Sequence, residues 1–311
     1  LKLFDLHCDT ITGLETVGLH LGNDAAAISI SKLENSGISA YAQCFAIFLD
    51  DKYRGKAAIE KWDRIYQWFL KQLELYPNKI EQVLTGADLE KITKKGKIAA
   101  ILTTESGAAF AGQLERIQEL REKGCLLTSL TWNGDTEIGG GVYTPKIGLT
   151  PFGKEAVAEM ERVGMIIDVS HLCDKAVDDF LKIRQKPFLA SHSNCRAICN
   201  AARNLTDEYI QEIVHCKGLI GINYLIYFLR EGDPENAGIS DVIRHVEHLL
   251  NLGAVNTIAL GSDFDGAKVP AAFDSIDKMN TLYTACQKAL GTEITEKLFY
   301  QNALKFFQKN F

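Results

Sequence analysis

Residues 165–192 read MIIDVSHLCDKAVDDFLKIRQKPFLASH. Two apolar runs, Met165–His171 and Phe188–His192, flank a segment in which Ala176, Val177, Phe180 and Leu181 recur at helical spacing. A short, nearly continuous apolar run is how a strand covered on both faces reads, and strand–helix–strand order makes the two strands parallel. Each run ends on a histidine, His171 and His192, 21 residues apart, about one strand–helix unit.

The same pattern extends through the chain. Further strand-length runs are Leu3–His7, Ala40–Leu49, Ile98–Glu105, Leu126–Trp132, Leu219–Tyr224 and Thr257–Asp263. Helical spacing appears in Gly153–Val163, Asp207–Val214 and Ser240–Leu252. Eight strands alternating with helices over 311 residues predict a closed (β/α)₈ barrel of the TIM type. Residues 53–97 exceed one crossover helix, with amphipathic stretches at Ile59–Leu75 and Ala87–Ile92, and read as an enlarged βα connection. No repeat or low-complexity linker divides residues 1–311, so one catalytic domain is expected.

Composition narrows the function. Hydrophobic residues at 46% suffice for a large core, and charged residues at 24% are ordinary. A net charge of −6 argues against nucleic acid, which needs a basic face. No apolar run is long enough to span a bilayer, so no membrane partner is expected. The eight cysteines are scattered, form no CxxC pair and sit in or beside apolar runs; they are expected to be reduced, as in a cytoplasmic protein.

In a parallel barrel the C-terminal strand ends meet at one rim, where active sites lie. His7 and Asp9, Glu105, His171, His192 and Asp263 all fall at such ends. His7-x-Asp9 would project an imidazole and a carboxylate to one side of a strand, onto one cation; the alternative is a strand cap and a turn cap. Glu105 closes IAAILTTE, where a buried carboxylate must be paired, protonated or metal-bound; the alternative is a helix cap. Two histidines in equivalent places on successive strands favour ligands over core residues. Asp168 is either a partner behind these ligands or a structural acceptor. Asp263 in LGSDFDG could bind metal or move protons, with Asp265 serving the turn and Gly266 permitting its sharp backbone. Arg203 suits a substrate carboxylate or a surface ion pair. Gly139–Gly141 reads as a flexible rim loop, His245 and His248 as helix-surface or packing residues, and Asn204-Leu205-Thr206 as a chance glycosylation match.

FDLHCDT, TTESG, GLTPFGKEAVAEMERVGMIIDVSHL, ASHSNCRAICNAARNLTDE and LGSDFDG together resemble the membrane dipeptidase (renal dipeptidase) family of metallopeptidases over nearly the whole chain. The resemblance implies two divalent metal ions, zinc by preference: His7 and Asp9 would ligate one, His171 and His192 the other, with Glu105 bridging. It implies hydrolysis of a dipeptide by a hydroxide shared between the metals. Asp263 would handle the proton and Arg203 the substrate, and family precedent suggests a homodimer. One departure stands out: mammalian members carry a substrate-contacting histidine in a stretch like LTLTHN, where this chain has SLTWNGD and Trp132. Those members are also secreted and lipid-anchored; this chain opens LKLFDLH and ends ALKFFQKNF, which leads us to expect a bacterial-type cytoplasmic member. The same ligands would serve another amidohydrolase acting on a cyclic amide, lactone or phosphoester, and a metal-free binding protein is a further alternative.

Overall fold

A computed structural model describes all of residues 1–311. Nine strands form one sheet: β1 (Lys2–Cys8), β2 (Ala40–Phe48), β3 (Ile80–Gln82), β4 (Ile98–Glu105), β5 (Cys125–Ser129), β6 (Ile166–Asp168), β7 (Leu189–Ala190), β8 (Leu219–Ile222) and β9 (Ile258–Leu260). All pairings are parallel, and β2 against β4 closes the ring, so eight strands make the expected barrel.

The ninth strand was not anticipated. β3 lies within the enlarged connection and pairs with Ile98–Ala100, while β5 takes over that edge of β4 from Leu102 onward. Its three residues, IEQ, carry no apolar run, so pairing alone makes them a strand. The helix before it, Gly55–Leu75, and the helix after it, Gly86–Thr93, include the two amphipathic stretches.

Both faces of the strands are apolar because both are covered. Leu3, Ile98, Ala100, Ile220 and Leu260 belong to one buried cluster; their neighbours Phe4, Ala99, Ile101, Leu219 and Ala259 belong to another, with Phe306 and Phe307 of the C-terminal helix. That two-sided burial removes the alternation of a one-sided sheet. Helix Pro151–Val163 shows how local chemistry sets boundaries: Pro151 opens it, the Thr150 hydroxyl accepts the Gly153 N–H at 2.9 Å, and Gly164 ends it at φ 74°.

Strands near the site stop earlier than their apolar runs. β6 ends at Asp168 because that carboxylate accepts the Ser170 N–H at 2.8 Å and turns the chain; His171 then sits at φ 72°. β9 ends at Leu260, and Asp263 sits at φ 62°. Left-handed backbone at non-glycine residues is costly, about 1 kcal/mol or more each, and clusters where side chains must be aimed.

Candidate metal centre

The parallel barrel brings His7, Asp9, Glu105, His171, His192 and Asp263 to one rim. Glu105 stands between two groups. Its Oε2 lies 3.5 Å from His7 Nε2, which is 3.6 Å from Asp9 Oδ2. Its Oε1 lies 2.7 Å from His171 Nε2 and 3.7 Å from His192 Nε2. The His171 and His192 Nε2 atoms are 2.9 Å apart, and His7 stacks on His192 with ring centroids 3.8 Å apart.

Asp9 reaches this place differently from the expected strand geometry. β1 ends at Cys8 after a register shift between Asp5 and Cys8, and Asp9 has φ −97°, ψ 10° at the start of helix Thr10–Val17. Its side chain makes no cap bond, which disposes of the turn-cap alternative. Room for it comes from Gly266, where a Cβ would lie 1.9 Å from Asp9 Oδ2. Gly266 is therefore required by this close approach; its φ is not left-handed.

The donor set fits divalent cations. His7 Nε2 and Asp9 Oδ1 are buried without a hydrogen-bond partner. Three sets of ligand atoms, His7–Asp9–Glu105, Glu105–His171–His192 and His7–His192–Asp263, each lie within 4.8 Å of one another. Burial pushes the Glu105 carboxyl well above its usual range, and the neighbouring Asp9 adds to this. Burial likewise raises Asp263. Burial would lower His7, but Glu105, then Asp9 and Asp263, raise it to about 10. Burial holds His171 and His192 well below the ordinary histidine value, as neutral rings with lone pairs to give. Crowded acids that resist ionisation beside neutral imidazoles are what a cation would relieve.

Behind these candidate ligands lies a layer of which sequence reading offered only Asp168. His171 Nδ1 meets Asn133 Oδ1 at 2.9 Å, and His192 Nδ1 meets Ser191 Oγ at 2.6 Å. The Ser191 hydroxyl donates to Asp168, which also accepts the Ser191 N–H at 2.9 Å. Asp168 is thus both a structural acceptor and a support for His192. Asn223 Nδ2 donates to Asp263 Oδ2 at 3.0 Å. The only sequence signal for Asn133, Ser191 and Asn223 is proximity to a rim residue or strand end, which marks no polar residue above another.

These groups open onto a cavity of about 630 Å³ lined by Asp9, Glu105, Trp132, His171, Arg203 and Asp263 among others. Trp132 is partly exposed and packs edge-on against Phe48 at 4.9 Å, with its ring centroid 6.3 Å from that of His171. Arg203 is buried, donating to Ser193 Oγ at 2.7 Å and the His192 carbonyl at 3.1 Å; its Nε has no partner. Burial lowers its pKa to about 10. It is therefore no surface ion pair.

The model of the membrane dipeptidase family, peptidase family M19, matches residues 1–310. The chain belongs to this family. Dipeptidase tcpJ of Claviceps purpurea is 28% identical over 242 residues, covering 76% of this chain; the match spans 57% of that longer relative. Among solved structures, that of the metallopeptidase dipeptidase AC superposes with TM-score 0.92 at 24% identity, covering 100% of this chain and 98% of its own. A Rhodobacter sphaeroides metallopeptidase, liganded with a phosphinate mimic of the dipeptide L-Ala-D-Ala, superposes with TM-score 0.91 at 24% identity, covering 100% and 99%. At these identities the structural likeness establishes the fold.

Elsewhere in this dipeptidase-family barrel, Asp265 accepts Thr10 Oγ1 at 2.5 Å and the Ala27 N–H at 2.7 Å, tying the last strand's turn to the first helix. The Gly139–Gly141 segment is buried instead of a loose rim loop: a Cβ at Gly141 would lie 2.2 Å from the Trp132 carbonyl oxygen. Asn204 is buried and donates to the Cys199 and Phe228 carbonyls, so the glycosylation match is structural. His245 is a packing residue bonded to Cys195 and Leu229, and His248 meets Asp207 at 2.7 Å. All eight cysteines are free, and all but Cys216 are buried. No helix is long and apolar enough to cross a membrane.

Proposed function

We propose that the protein is a metal-dependent dipeptidase whose centre takes two divalent ions, zinc by preference, in one catalytic domain. The division of Glu105 carries this reading: one oxygen faces His7 and Asp9, the other His171 and His192. Mixed imidazole and carboxylate ligands suit zinc, with manganese and cobalt as competitors. Bound there, the ions supply an acidified water and polarise the scissile carbonyl.

The chain's own groups do the rest. Asn133 and Ser191 hold the two imidazoles with Nε2 turned inward. Asp263, with Oδ2 held by Asn223, accepts the water's proton at Oδ1 and returns it to the leaving amine. Arg203 receives a substrate carboxylate, its Nε being the guanidinium nitrogen without a partner. Trp132 forms an aromatic wall beside His171 where a ring nitrogen would otherwise be offered.

The test is elemental analysis of zinc-loaded protein beside release of free alanine from Ala-Ala. Two ions per chain and dipeptide cleavage are expected. Fewer than two ions, or cleavage of a dihydropyrimidine or lactone with dipeptides left intact, would falsify the proposal.

A further inference from the structure

The cavity's charges and its apolar walls point to different parts of a substrate. Its carboxylates are Asp9, Glu105, Asp263 and Asp265, and Arg203 is its one permanent cation. The first three face the metal centre, and Asp265 has both oxygens engaged by Thr10 and Ala27. With Arg203 committed to the substrate's own carboxylate, no basic side chain remains for an acidic residue. No free carboxylate remains for a basic one.

Thr12 and Asn133 add uncharged polar groups to the lining, Asn133 being engaged by His171, and the large apolar side chains fall into two walls. Phe48, Trp132 and Tyr143 stand on the His171 side, where Trp132 lies 6.3 Å from that ring. Leu225, Tyr227 and Phe228 stand on the Arg203 side, where the guanidinium lies 5.9 Å from the Phe228 ring. Tyr143 and Tyr227 are 75% and 53% exposed, large rings left in water at the mouth of the cavity. Such rings gain most by covering an apolar group that enters between them.

We infer that the preferred substrates are dipeptides with apolar side chains on both residues. The N-terminal side chain lies on the Trp132–Tyr143 wall and the C-terminal one on the Tyr227–Phe228 wall. This rests on the dipeptidase reading and on Arg203 taking the C-terminal carboxylate, which places the C-terminal residue beside Phe228 and the N-terminal residue across the centre.

The experiment measures kcat/KM of zinc-loaded full-length protein on Ala-Ala, Phe-Ala, Ala-Phe, Asp-Ala, Ala-Asp, Lys-Ala and Ala-Lys. Phe-Ala and Ala-Phe should exceed Ala-Ala by about tenfold or more, the scale of a filled apolar pocket, and all four charged dipeptides should fall below it. Tyr143→Ala should reduce the advantage of Phe-Ala, and Tyr227→Ala that of Ala-Phe, each through KM. Both rings are exposed, so these variants test the walls without emptying the core. Cleavage of Ala-Ala with charged dipeptides preferred overturns the inference alone, as does an unchanged ranking in both variants. Exchange of the two tyrosine effects overturns the assignment of walls. Failure to cleave any dipeptide overturns the proposed function and this inference with it.

Discussion

On one side of Glu105 stand His171 and His192, each with its second ring nitrogen engaged by Asn133 or Ser191. On the other stand His7 and Asp9, whose Nε2 and Oδ1 have no protein partner. The first side is aimed by hydrogen bonds: an Nδ1–H donated outward leaves the Nε2 lone pair facing the centre whether or not an ion is bound. The second is aimed by shape, with His7 stacked on His192 and Asp9 fitted into the space beside Gly266. It follows that the His171 side should hold its ion more tightly, and that a chelator should remove the His7-side ion first.

The largest expected effect belongs to a residue common to both sides. Asp263→Asn keeps the shape and a hydrogen-bonding group but cannot accept and return a proton. Dipeptide turnover should fall by about 10²–10⁴ while elemental analysis still finds both ions. Loss of an ion in this variant would make Asp263 a ligand first and a proton carrier second.

Gly266→Ala should act on the shape-aimed side alone. A Cβ 1.9 Å from Asp9 Oδ2 must displace that carboxylate, and affinity for the His7-side ion should drop by on the order of a hundredfold. Calorimetric titration with zinc would show one weakened site of two. Ser191→Ala makes the complementary cut. It removes the acceptor from His192 Nδ1, and the other site should weaken by about 10–100-fold. If either variant weakens both sites equally, the two sides are one coupled unit and the contrast between them disappears.

The smallest effect concerns stability in acid. His245 supports the loop after His192: its Nδ1 accepts the Cys195 N–H at 3.2 Å and its Nε2 meets the Leu229 carbonyl at 3.1 Å. Burial lowers its pKa from 6.5 to about 4, with Arg244 and His248 lowering it further and Leu229 and Asp241 opposing. The unfolded chain therefore binds a proton at higher pH than the folded one. The stabilisation is complete above pH 6.5 and declines as pH falls towards 4, by at most about 3 kcal/mol. Denaturant midpoints at pH 7, 5.5 and 4.5 should fall less steeply in His245→Gln than in the parent. Parallel curves would remove His245 as the source.

The apolar runs were sufficient to locate all eight barrel strands, because burial on both faces is a property of composition along the chain. The convergence of the candidate ligands at the rim was legible for a related reason: a histidine or acid closing an apolar run is conspicuous, and parallel topology sends such residues to one end. Short-range partners were not legible. Asn133, Ser191 and Asn223 are ordinary polar residues until the fold sets them against His171, His192 and Asp263. Nor could sequence place β3, whose IEQ becomes a strand only by pairing with β4. Gly266 read as a turn residue, whereas its missing side chain makes room for Asp9, 257 positions earlier. Sequence by itself determined which apolar runs become buried strands and which residues close them, since transfer from water acts on each apolar side chain separately. Tertiary structure alone decided which lone pairs point inward, because a hydrogen bond or a close approach needs two groups that distant parts of the chain supply.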